Sequence, residues 1–474
     1  MEDPIFELSR RGAIGALGGA MAFGLANKTE AQAVAGDTAT DATEIVLRGG
    51  YVLSMDRDIG DLEIGDVHIR DGIIVDVAPE LTVAGAAVID ATNTVIMPGF
   101  VDTHWHMWNS IWRGLGNDAT EYFGLHRLAA HYTPEDHYMA VRYAALEGLN
   151  SGFTTCHNWA HGVDSVEDAE AELRALVDSG IRAKMGYTWN LGGQPTTREQ
   201  LQAALDWIEQ NGQGRIGLGI ILDGAGDALA ERVELARSLN LRPITDHGGS
   251  LARPDLLGPE FLFTHGTGIT PELISLINDK TLGVALCPGT DPLIGAGLPP
   301  INALLDGGVP LEQISMTVDV TAQTAADPFA MMRTIVNSGR IQRANTTDLM
   351  RIVQSAPDWP LSYREALAIG TSGGANVLGL ADQIGSLTPG KRADVIMVRT
   401  DALNMLPARN TNMTFQLVQT GLPSNVDTVI VDGRVRKQGG KLTGVDMAAI
   451  VAEAASAQMA IRERAGLPAI DISR

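Results

Sequence analysis

Between about residue 95 and residue 380 the chain repeats one unit, a short apolar run with few charges followed by a helical stretch. The runs fall at Thr94 to His106, Thr154 to His161, Ile181 to Asn190 and Ile216 to Gly224. Four more follow at Arg242 to His247, Phe261 to His265, Leu282 to Pro288 and Ile314 to Thr321. Helical patterns lie between them, among them Ser165 to Ser179, Thr197 to Gln210 and Pro271 to Asp279. Unbroken apolar strands are buried on both faces, as parallel strands covered by helices are. Eight such units in series predict an α/β fold, a (β/α)8 TIM-like barrel rather than an open sheet. No short internal sequence repeat is visible, so a solenoid is not expected.

Strand-rich segments flank this middle. Ile45 to Arg48 and Tyr51 to Leu53 begin the first, and Val67 to Val75 reads as a hairpin turning at Asp71-Gly72. Asp394 to Val398 and Val429 to Val435 repeat the pattern near the other end. The two segments are expected to pair into a small β-sandwich built from N- and C-terminal pieces. The resulting division is a leader and linker over 1–35, sandwich over 44–94 and 381–440, barrel over 95–380, and a helical tail over 441–474. A chain of 474 residues has room for such a barrel and an accessory domain.

Charge and cysteine content narrow the partners. Asp and Glu number 57 against 35 Lys and Arg, a formal charge of -22. That surface disfavours nucleic acid and stable membrane association; the partners expected are a small-molecule substrate and, as assembly, a homo-oligomer. Cys156 and Cys287 make neither a disulfide framework nor a Cys-type zinc site, and each reads as a buried, inert thiol. At the N-terminus, Ser9-Arg10-Arg11 precedes an uncharged small-residue stretch from Gly12 to Ala26, and Ala31-Gln32-Ala33 has the form of a signal-peptidase site. This resembles a twin-arginine (Tat) signal peptide and predicts a periplasmic or secreted protein, with a cytoplasmic one as the alternative.

The chemistry gathers at strand ends. His104 and His106 close the first barrel strand, and residues i and i+2 of a strand point to the same side. His247 and His265 end the fifth and sixth strands, each followed by glycine, and Asp319 ends the eighth. Histidine and carboxylate suit zinc or a similar metal, and an Asp closing an apolar strand is costly to bury without a compensating partner. All five fall at strand C-termini, where a barrel of this kind carries its active site.

Several stretches resemble the amidohydrolase superfamily, nearest to its cytosine-deaminase, triazine-hydrolase and chlorohydrolase-like branch. Pro98-Gly99-Phe100-Val101-Asp102-Thr103-His104-Trp105-His106 is similar to the first-strand signature, and Phe263-Thr264-His265-Gly266 to the sixth-strand histidine. Thr371 to Leu380 resembles the helix after the barrel, and Ile384 to Val395 the return into the sandwich. The resemblance implies that His104, His106, His247 and Asp319 ligate one divalent metal, zinc or else Fe, Mn or Co. It also implies that His265 is a further ligand or polarises the substrate, and that Asp319 takes the proton from activated water.

Two departures from the family pattern bear on the reaction. The fourth strand, Ile216 to Gly224, lacks the lysine that bridges two metals in binuclear members, and Lys184 lies too early in the third, so a mononuclear site is expected. Asp246-His247-Gly248-Gly249-Ser250 lacks the glutamate that deaminases of this group carry three residues after the histidine. The expected reaction is therefore metal-dependent hydrolysis of a non-peptide C–N bond (amide, lactam, urea or carbamate). Hydrolytic deamination or dechlorination of a nitrogen heterocycle is the alternative, and a non-catalytic metal-binding barrel the remote one. Trp108, Trp112, His161 and Trp189 are candidate substrate contacts at the rim, with Trp159 nearby. His126, His131 and His137 read as surface or lid residues, and His68 as structural.

Overall fold

A computed structural model describes residues 42–116, 122–188, 196–344, 359–406 and 411–467. The leader expected over 1–35 and the rim residue Trp189 lie outside the described residues. Among the described residues, no helix is long and apolar enough to cross a membrane.

Eight parallel strands make the barrel. They are β6 (Phe100–Val101), β7 (Phe153–Ala160), β8 (Arg182–Tyr187), β9 (Ile216–Ile221), β10 (Ile244–Asp246), β11 (Phe261–Thr264), β12 (Gly283–Leu286) and β13 (Ile314–Met316), paired in that order. The ring closes through a short seam, where His106 N–H donates to Asp319 O (2.8 Å) and Asp319 N–H donates to His104 O (3.0 Å). Asp102 pins that seam from inside, accepting from the backbone N–H of His104 (3.0 Å) and of Val318 (2.6 Å). Burial raises its carboxyl to about 7 against the pull of those hydrogen bonds.

The helices start where the sequence supplies caps. Ser165 accepts from Asp168 N–H to open the helix Val166–Ser179, and Thr197 and Gln200 form a capping box at Arg198–Asn211. Left-handed Gly180 (φ 79°) ends the first of these and turns the chain into β8.

The terminal segments do pair, with two differences from expectation. They form one nine-stranded mixed sheet rather than two facing sheets. In it β14 (Val395–Arg399) lies antiparallel to β5 (Thr94–Pro98), and β5 lies parallel to β1 (Glu44–Leu53). Residues of both segments, such as Ile45, Leu47, Val67, Val395, Met397 and Ile430, share one core, so the sheet curls over itself. The expected first barrel strand also divides. Thr94–Pro98 belongs to the accessory sheet, and only Phe100–Val101 joins the barrel. Gly99 is the break. A Cβ there would stand 2.2 Å from Thr154 Oγ1, so only glycine lets the chain pass between the two sheets.

The return motif acquires a physical role. Asp394 is buried, takes a two-pronged ion pair from Arg182 on β8 (2.7 and 3.0 Å), and so fastens the accessory sheet to the barrel.

Candidate metal centre

The five strand-end residues converge. His104, His106 and Asp319 offer ligand atoms within 4.8 Å of one another, as do His104, His247 and His265. Asp319 Oδ1 stands 3.2 Å from His104 Nε2 and 3.3 Å from His106 Nε2. Three further observations fit a cation at their centre. His104 is fully buried, yet neither of its ring nitrogens has a hydrogen-bond partner. His247 Nδ1 meets Asp223 and His265 Nδ1 meets Asp291 (2.7 Å), which fixes both rings and turns each Nε2 inward. Burial pushes His104 and His106 below the ordinary histidine range, against the pull of Asp319, so both are neutral as ligands must be. Burial alone would raise Asp319, but the facing His104 and His106 hold it well below the usual carboxylate range.

Two of the five sit on unusual backbone. His265 (φ 67°) and Asp319 (φ 63°) are left-handed, a conformation that costs a non-glycine residue of order 1 kcal/mol or more. Gly266 (φ 73°) after His265 and Gly248 (φ 106°) after His247 are themselves left-handed, which accounts for a glycine after each histidine.

The centre floors a cavity of about 410 Å³. His161 and His126 line it, with Tyr122, Phe123, Thr188, Asp223, Thr290, Ile294 and Gln323. The rim expectation for His161 thus matches its position, and its Nδ1 lies 3.1 Å from His106 Nδ1. That for Trp108 and Trp112 does not. Both are fully buried in a 3-10 turn, Met107–Trp112, that packs inward as a whole. They contact each other edge to face at 4.8 Å and lie behind the cavity wall. Trp159 is buried beneath the centre, 4.1 Å from His104 and 4.7 Å from His247 between ring centroids. His137, expected at the surface, is also buried. It pairs with buried Glu172 (2.8 Å) where the helix Pro134–Ser151 meets Val166–Ser179. His68 meets Glu44 within the accessory sheet, and both cysteines are free and buried.

The sequence reading missed Asp223, Asp291 and Thr290. Thr290 donates to Asp319 Oδ2. Asp223 carried a usable signal, an Asp closing an apolar strand just as Asp319 does. Asp291 and Thr290 lie in the turn after β12, where no periodicity marks them. Asp246 accepts from the backbone N–H of Gly248 (2.9 Å) and Ser250 (2.6 Å), so it caps the turn after β10.

Fold and side-chain cluster together make a barrel with a candidate metal centre at its mouth. Residues 206–436 match the model of the amidohydrolase family. A 5'-deoxyadenosine deaminase of Methanobrevibacter smithii is 27% identical over 433 residues, covering 84% of this chain and 94% of that one. Among solved structures, a zinc-bound adenosine deaminase from Xanthomonas campestris shares the fold with a TM-score of 0.74 at 23% identity, covering 88% of this chain and 98% of that one. The zinc complex of atrazine chlorohydrolase from Arthrobacter aurescens does so at 0.74 and 22%, covering 87% and 100%. The chain is thus similar to the amidohydrolase superfamily in sequence over that stretch and in fold over most of its length.

Proposed function

We propose that the protein uses one zinc ion to hydrolyse a non-peptide C–N bond, of the amide, lactam, urea or carbamate kind, in a small cyclic or aromatic molecule. One observation carries this reading. His104, His106, His247, His265 and Asp319 converge at a single cavity whose one other lining acid among the described residues, Asp223, is committed to His247. The position three residues after His247 is Ser250, and Asp246 is held in its own turn. A single ion is favoured because β9 offers no lysine at its site end.

A bound divalent ion supplies Lewis acidity and brings the pKa of water toward neutrality. Asp319 accepts the proton of the attacking water on its carboxylate and returns it to the departing nitrogen, while Thr290 holds Oδ2 in place. His265, oriented by Asp291, faces the same point as a further ligand. An amide-type bond needs no other proton transfer.

The deaminase relative favours a second reading, displacement of an exocyclic amine from a nitrogen heterocycle. That reaction also requires protonation of a ring nitrogen, and His161 beside His106 is the cavity group placed to take part. Zinc-loaded protein is tested against lactams, ureas, carbamates and amino-heterocycles, with products identified by mass and ammonia measured. Cleaved amide-type substrates support the first reading. Ammonia release from aminopurines or triazines without amide cleavage replaces it by the second. No turnover of either class by metal-bound protein overturns both.

A further inference from the structure

The cavity wall is divided by the barrel's own order. β12, β13 and β6 are neighbours in the ring, with β6 joined to β13 through the closing seam. The segments that follow these three supply every apolar lining side chain among the described residues. These are Ile294 after β12, Val320 after β13, and Tyr122 and Phe123 after β6. The segments after β7 to β11 supply only His161, Thr188, Asp223, Gly224, His247 and His265. One sector thus carries all the apolar lining, together with His106, His126, Thr290, Asp319 and Gln323, and the other carries none.

The apolar sector extends past the cavity. Phe123 is 60% exposed and Ile294 39%, and Leu293 (56%) and Leu298 (42%) are exposed in the same segment after β12. Isolated exposed apolar residues need no explanation, but two that also line one cavity do. No Lys or Arg lines the cavity among the described residues. The undescribed stretches 117–121 and 189–195, which follow β6 and β8, contain none in sequence either.

From this division we infer that the site selects uncharged, amphipathic substrates. The reactive end lies at the metal centre, and an apolar substituent runs out along Tyr122, Val320, Ile294 and Phe123. Carboxylate-bearing analogues are excluded. This deepens the proposed function by naming the substrate class, and it rests on that reading only for the identity of the bond.

Binding to zinc-loaded protein tests it without turnover. The probes are acetohydroxamic acid, octanohydroxamic acid, and the octanoyl analogue with a terminal carboxylate, measured by calorimetry. The octanoyl probe is expected to bind at least about tenfold tighter than either of the others, since each buried methylene adds to affinity. Phe123→Ser and Ile294→Ser should each reduce that preference roughly threefold and leave acetohydroxamic acid unchanged. A carboxylate probe that binds as tightly as the octanoyl one overturns the inference, as does a preference that survives both substitutions. Because hydroxamates report on the metal and the wall alone, these results stand apart from whether any amide is hydrolysed.

Discussion

Asp291 offers a sharp test of how the centre is built. It is fully buried behind His265, with Oδ1 2.7 Å from His265 Nδ1 and Oδ2 without a partner. A charge-assisted hydrogen bond contributes about 1.5–3 kcal/mol and a neutral one about 0.5–1.5. Asp291→Asn keeps the shape and an acceptor but loses the charge, so the difference is about 1.4 kcal/mol, or roughly tenfold in zinc affinity. Asp291→Ala also strands a buried N–H, and the loss should approach about 100-fold, the upper range for such supporting groups. The apo protein should respond differently. Burial raises the Asp291 carboxyl against its bond to His265, so removing the charge relieves a desolvation cost. Asp291→Asn should therefore keep its apo melting temperature while its zinc-induced gain falls by about 1.4 kcal/mol. Competition against a chromophoric chelator reads the affinity, and calorimetric melts with and without zinc read the gain. Asp223→Asn is the control. Its side chain is 37% exposed, so water screens it and the loss should be smaller, about threefold. Zinc affinities within twofold of wild type for both Asp291 variants would refute this account of His265 as a ligand held by a carboxylate.

Asp319→Asn should lower turnover at least about 10²-fold while circular dichroism shows the fold intact, and near-normal rates would remove Asp319 from proton transfer. Elemental analysis at saturation should find about one divalent ion per chain, and two tightly held ions would contradict the single site. Burial lowers the His137 pKa, but Glu172 outweighs it and the folded value lies above the ordinary 6.5. Its contribution to stability is thus complete below about pH 6.5 and lost as pH rises through the folded value, so denaturant melts across pH 6–9 should show a decline that His137→Gln flattens. Mature protein from the native host should begin near Val34 by N-terminal sequencing if Ala31-Gln32-Ala33 is cleaved, and recovery of Met1 would argue against export.

The barrel was legible because its signal is repetitive. Eight apolar runs with helices between them admit few arrangements, and the five candidate ligands could be named because each ends a run. What sequence could not supply was depth. Trp108 and Trp112 follow a strand end and so look like rim residues, but packing of the 3-10 turn Met107–Trp112 against the helix Pro134–Ser151 turns them inward. His137 fails for a related reason. It follows a cap, Thr133-Pro134, at a helix start that reads as surface, and only the facing Glu172 makes its burial tolerable. The seam was hidden as well. Pro98-Gly99 reads as one step in a strand, whereas the missing Cβ of Gly99 is what lets one strand serve two sheets.

The seam explains why ligands and fold are so closely linked here. His104, His106 and Asp319 are the residues whose backbones close the ring, so their side chains cannot be placed independently of closure. Asp102 holds the same junction through His104 N–H and Val318 N–H. A change that loosens the junction therefore moves the first two histidines and the carboxylate together, while His247 and His265, on β10 and β11, stay with their own carboxylates. The centre is thus two half-sites, one rigid because the barrel must close and one rigid because Asp223 and Asp291 grip it. A metal joining them would tie the closure of the barrel to its own binding, which makes ion affinity and fold stability two readings of one equilibrium.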